Sequence, residues 1–134
     1  MSLTLSQIET AFGQAVAAIP EIDRIAWPSR VIDPARPFVM FQHNPSGWSD
    51  RTVTGGDTIP AGSVILTVVS EAGQFGTASN ALADTIMALF PKGRRIEAGS
   101  GCIVITEPAR PIAATMDGAD WRQVIEIAYT TQSA

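Results

Sequence analysis

The chain has one cysteine, Cys102, and one histidine, His43, among 134 residues. A single cysteine excludes an internal disulfide and any Cys-based metal cluster. A lone histidine, with no H-E-x-x-H motif, leaves a zinc site without ligands at the spacing it needs. Glu71, Glu97, Glu107 and Asp117 would have to converge on it from distant parts of the chain. Charge is sparse too: 16% of residues are Asp, Glu, Lys or Arg, and the net charge is −4. Such a chain lacks the basic surface that grips nucleic acid, although DNA that must slide past without sticking is compatible with it. No apolar run reaches membrane-spanning length. The start "MSLTLSQIETAF" has neither the basic n-region nor the apolar h-region of a signal peptide, so a cytosolic origin is expected. No serine sits in a G-x-S-x-G elbow. Cys102 opens the apolar run "CIVIT" with no activating cluster, and a buried, inert thiol is expected there. No acid, base and nucleophile form a set, so the chain is not expected to be an enzyme.

What is present is a globular composition, 46% hydrophobic, in a length that suits one domain over residues 1–134. The low share of charge suggests that apolar surface is covered by another subunit. From Thr4 to Ile19 the apolar residues Leu5, Ile8, Phe12, Val16 and Ile19 recur at helical spacing. Thr4 with Gln7, or Ser6 with Glu9, supplies a capping box, and Pro20 marks the stop. "RIAWPS" reads as a short strand that Pro28 keeps at an edge. In "FVMFQHN", Phe38, Met40 and Gln42 share one face; Val39, Phe41 and His43 share the other. Pro45 to Gly62 reads as a long Gly-rich hairpin loop, with Gly55-Gly56-Asp57 at its tip. "SVILTVVSE" is the strongest strand, with a central place in the sheet. A second helix runs from Thr77 to Phe90. The last third returns to strands: "RRIEAG", "CIVITEPA", a turn at Asp117-Gly118, and "WRQVIEIAYTT", whose Trp121, Gln123, Ile125, Ile127 and Tyr129 share a face. Strands joined by short links favour antiparallel pairing. The expected class is α+β: a two-layer sandwich, a mainly antiparallel sheet with two helices packed on one face and a long β-hairpin loop.

Two stretches invite a functional reading. "SEAGQFGTASN" carries Gly73 and Gly76 between a strand and a helix, as a phosphate loop does. A Walker loop needs a lysine after its last glycine, and a dinucleotide fingerprint needs three glycines; neither is there. The glycines then only reverse the chain, with Thr77 or Ser79 as the helix cap. Trp48 is more informative, standing in the Gly-rich loop near Arg51. Tryptophan and arginine together are enriched at binding hot spots, against the plainer reading that Trp48 folds back on its own hairpin. The short basic group Lys92, Arg94 and Arg95 complements the negative end of the second helix, with a contact to an acidic neighbouring subunit as the alternative.

The order of these features resembles the phage tail terminator-like family. The residues that carry the likeness are Pro37 and Phe38, Gly55 and Gly56, then Ala81, Leu82, Ala83, Asp84, Ile86, Leu89, Phe90, Pro91 and Gly93. Asp117, Gly118, Trp121, Val124, Ile127 and Tyr129 complete it. The likeness spans nearly the whole chain. The segment "SDRTVTGGDTIPAG" departs from it, lacking the aromatic-rich approach to the central strand.

The resemblance implies a structural virion protein of the tail and neck. It would cap the tail tube as a homo-oligomeric ring, a hexamer in this family, assembled in the host cytoplasm. The ring ends tube polymerisation and offers a surface to the head-neck connector proteins. Genomic DNA passes its lumen only as cargo, and no cofactor comes with the family. Expected contacts to another subunit or to the tail tube protein are Trp48, Arg51, Thr52, Thr54, Gly55 and Asp57. Lys92, Arg94 and Arg95 form a secondary interface. The alternatives are another neck or tail completion protein, such as a head-closure protein, and a small dimeric α+β ligand-binding protein.

Overall fold

The computed structural model describes residues 4–22, 25–27, 38–50, 58–71, 77–99, 101–117 and 120–133, with the backbone alone at 46–50, 58–60, 77–79, 117 and 133. Helix α1 spans Leu5–Ala17 and starts on the first of the two expected capping boxes. Gln7 N donates to Thr4 Oγ1 at 3.2 Å, and Thr4 N donates to Gln7 Oε1 at 3.0 Å. Ile8, Phe12 and Val16, four residues apart, are fully buried. Gly13 sits on the same buried side, where glycine costs a helix about 1 kcal/mol against alanine. A Cβ there would stand 3.2 Å from the Trp27 ring. The glycine therefore lets the indole lie close to the helix, and the indole packs in turn on Phe41, with ring centroids 5.5 Å apart.

The strands are β1 (Ile25–Ala26), β2 (Phe38–Asp50), β3 (Thr58–Glu71), β4 (Arg95–Ala98), β5 (Gly101–Ile105), β6 (Arg110–Asp117) and β7 (Asp120–Ser133); helix α2 covers Thr77–Leu89. They form one curled sheet in the order β1-β2-β3-β7-β5-β4, with β6 also beside β7. The class is α+β, as expected. The sheet is mixed, because β1 runs parallel to β2 through Ile25↔Val39 and Ala26↔Met40. The short-link argument, which favours antiparallel neighbours, did not foresee this parallel pair.

One alternation set forms the core. Val39 and Phe41, Val64, Leu66 and Val68, Ile125, Ile127 and Tyr129, and Ile103 and Ile105 are all buried. The two helices join them: α1 packs on β4 and β2, and α2 on β3 and β7. Phe12 links the parts, lying 6.2 Å from Phe90 and 5.6 Å from Tyr129 between ring centroids. Each such large side chain contributes about 1.5–3 kcal/mol on burial.

The stretch expected as a long loop is mostly strand. β2 and β3 pair from Phe38↔Val69 to Asp50↔Thr58, with a bulge between Pro45 and Gly47. Its Ser, Gly, Pro and Asp residues hide the strand because no apolar alternation marks it. The ladder itself needs only backbone groups. On its other side β3 pairs with β7 only as far as Ala61↔Thr130. Pro60, next in line, has no N–H to offer a further rung there. The rungs Trp48↔Pro60, Ser49↔Ile59 and Asp50↔Thr58 thus form a two-stranded arm that β7 does not pair with, although β7 itself runs on to Ser133 beside β5. The Gly55-Gly56-Asp57 tip and the Gly73–Gly76 loop lie outside the described residues.

Candidate functional site

The arm is where sequence reasoning placed the main contact surface. Trp48 stands on β2 within it, across from Pro60. Arg51, Thr52, Thr54, Gly55 and Asp57 lie outside the described residues. The structure thus puts one of the six expected contact residues on a two-stranded stretch that has left the β3–β7 ladder.

The basic trio divides. Arg94 Nη1 donates to the carbonyl of Leu89, at the end of α2, and the guanidinium lies 4.8 Å over the Phe90 ring. That is the helix-end complement, reinforced by a cation–π contact. Arg95 Nη1 donates to Gln132 Oε1 at 2.8 Å and approaches Cys102 Sγ at 3.6 Å. Lys92 is exposed. Cys102 is half-buried rather than buried. The cause is its place on β5, where Ile103 and Ile105 take the core face and Cys102 the alternate one.

His43 falls at the end of the expected strand "FVMFQHN". Because β2 continues to Asp50, it sits mid-strand instead, with Nε2 hydrogen-bonded to Tyr129 Oη at 2.6 Å. Burial lowers its pKa from 6.5, and the nearby Glu9 carboxylate offsets part of that. Burial also pushes the Tyr129 phenol up to about 12. Both effects favour the neutral forms, so the pair acts as a polar pin tying the base of the arm to β7. Among the described residues, no three His, Cys, Asp or Glu side chains gather closely enough to hold a metal ion. No helix described is long and apolar enough to cross a membrane.

Sequence reasoning missed strand β6. Its residues Pro111 to Met116 are all exposed, including Ile112 at 47% and Met116 at 59%. An open groove of ≈ 580 Å³ runs between this strand and α2, floored by Ile125 and walled by Ala83, Met87, Ile112 and Ala114. The available signal was "PIAATM", six residues without a charge, where exposed edge strands are usually guarded by one. The groove is open to solvent along β6, unlike the closed pocket a small-ligand binder would need.

The chain resembles known proteins over nearly its full length. One solved structure, which carries no functional name, is 22% identical and superposes with a TM-score of 0.77, covering 98% of this chain and 97% of its own. A second comes from the virion of a native gene transfer agent particle, at 18% identity and a TM-score of 0.60, covering 94% and 93%. These likenesses bear on the fold. No curated protein matches. The phage tail terminator protein family matches residues 7–129, from the first turn of α1 to Tyr129 in β7. The chain therefore belongs to that family of structural, non-enzymatic virion proteins of the phage tail.

Proposed function

We propose that this protein, as a single domain of residues 1–134, caps the tail tube as a homo-oligomeric ring, a hexamer. Each subunit is a two-layer α+β unit with both helices over one face of the sheet. One ring face copies the mating surface of the tail tube protein, and the other does not, so polymerisation stops there. That second face receives the head-neck connector proteins, and DNA crosses the lumen as cargo. Assembly takes place in the host cytoplasm.

The observation that carries the reading is the family match over residues 7–129, which takes in both helices and nearly the whole sheet. The two-stranded arm supports it, since its strands keep backbone pairing that the subunit's own β7 does not use. Trp48, Arg51, Thr52, Thr54, Gly55 and Asp57 make subunit or tube contacts in this reading. Lys92 joins them as a secondary contact, together with whatever donors Arg94 and Arg95 keep free of their own chain. Deleting the gene in its phage tests the proposal. Tails of uncontrolled length are the expected result. Tails of normal length that fail to join heads would overturn the capping role in favour of a neck role.

A further inference from the structure

Among the described residues the sheet has two edges that no strand covers, on opposite sides. β1 covers only Val39 and Met40 of β2, so among the described residues no strand lies outside Phe41–Asp50. On the far side β6 pairs with β7 alone among the described residues. We propose that the β6 edge of one copy of this chain, Arg110–Asp117, docks antiparallel on the outer β2 edge of the next copy, His43–Asp50. The proposal rests on the ring reading and names the junction within it.

Two separate constraints choose the antiparallel sense. The first is topology. β2, β3, β7 and β6 each run antiparallel to the one before, so β6 opposes β2 in direction. Across the ladders Arg110 is level with Gln42 through Glu126 and Ile65, so pairing it with Asp50 slides the next copy along the strands; a ring axis inclined to the strands supplies that slide and still brings β2 to β6 antiparallel. The second is charge. The two stretches are equal in length, and antiparallel pairing sets Arg110 against Asp50 and Asp117 against His43. Parallel pairing would set Asp117 against Asp50, with like charges directly opposite. Between the ends neither Pro111–Met116 nor Asn44–Ser49 carries a charge.

Arg110 can serve the junction. Its Nε and Nη2 donate to Glu126 Oε1 at 3.1 and 2.6 Å, and its side chain stays 61% exposed. A guanidinium has five N–H donors, so a second carboxylate can be met. The same register brings Trp48 level with Ile112, on the wall of the apolar groove. Added strands gain affinity from backbone bonds and specificity from such pockets. Because the joined edges differ, the contact is head-to-tail. It propagates until the rotation closes a ring.

Cysteine pairs test the junction in the full chain. In a Cys102→Ser background, Met116→Cys is combined in turn with Gln42→Cys, Asn44→Cys and Ser46→Cys, and the protein is oxidised. Directly opposed positions stand close enough to bridge. The expected result is a ladder of linked oligomers from one combination, with single-cysteine variants stopping at dimers. Met116→Lys should weaken association about tenfold or more while the circular dichroism stays unchanged. Oligomers in native mass spectra without a ladder from any pair would overturn the edge assignment and leave the ring intact. A chain that stays monomeric and unlinked would overturn it too, and the ring would then stand or fall on the deletion phage. Cross-linking of Met116→Cys to the tube protein alone would give the edge to a different partner and overturn the proposal.

Discussion

At the scale of single residues, His43 carries the clearest consequence. Its neutral form is favoured in the fold because burial outweighs the attraction of Glu9, and its pKa falls below the ordinary 6.5. The unfolded chain therefore binds a proton more readily than the folded one in the range below 6.5. The stability that neutral His43 provides is complete above that value and is lost as pH drops through the folded pKa. Denaturation midpoints should fall as pH is lowered through this range, and His43→Gln should remove part of that slope. An unchanged slope in the variant would show that other groups set it. The sequence placed His43 correctly on the face shared by Val39 and Phe41. It did not supply Tyr129, because a partner 86 positions away follows from strand order and register, which periodicity does not encode. Arg94 was legible for the opposite reason: its partner, Leu89, is five positions away.

At the scale of elements, the α1 cap gives the most direct measurement. Thr4 satisfies an N–H of the first turn, and Gln7 returns the bond to the Thr4 backbone. Gly99, in the left-handed region at φ 55°, brings its backbone against the Gln7 carboxamide, where a Cβ would stand 2.5 Å from Nε2. The cap thus also touches the end of β4. Thr4→Ala should cost about 1 kcal/mol, read as a lower denaturation midpoint with an unchanged transition slope. No change would mean that Gln7 is held by the sheet and not by the cap. Both helices were legible because their apolar residues recur at helical spacing and their ends carry Thr4, Pro20, Pro91 and Gly93. The outer parts of β2 and β3 were not. Their pairing rests on backbone groups, and Ser, Gly, Pro and Asp interrupt any apolar alternation, so the sequence looks like a loop. β6 was hidden differently. The sequence marked only the turn at its end, Asp117-Gly118, and only the topology reveals the strand and that no described strand covers its outer edge.

At the scale of the whole molecule, the described residues combine a buried core with strand edges that no described strand covers. The core explains why a monomer can fold; the open edges, the groove and the arm explain why it would gain by association. Trp48 separates these two levels. Its rung with Pro60 lies beyond the last β3–β7 pair, Ala61↔Thr130, so it does not belong to the ladder that holds the core. Trp48→Ala should therefore leave the folding free energy within about 0.5 kcal/mol of the parent. The same change should weaken association by about 2 kcal/mol, roughly thirtyfold, if the tryptophan anchors the contact between copies. Urea unfolding at a concentration where only monomer is present reads the first quantity, and sedimentation across a concentration series reads the second. Parental association in the variant would remove the arm from the interface. Loss of monomer secondary structure would show instead that the arm is part of what keeps the sheet folded, and that the division between core and reaching surface falls elsewhere in the chain.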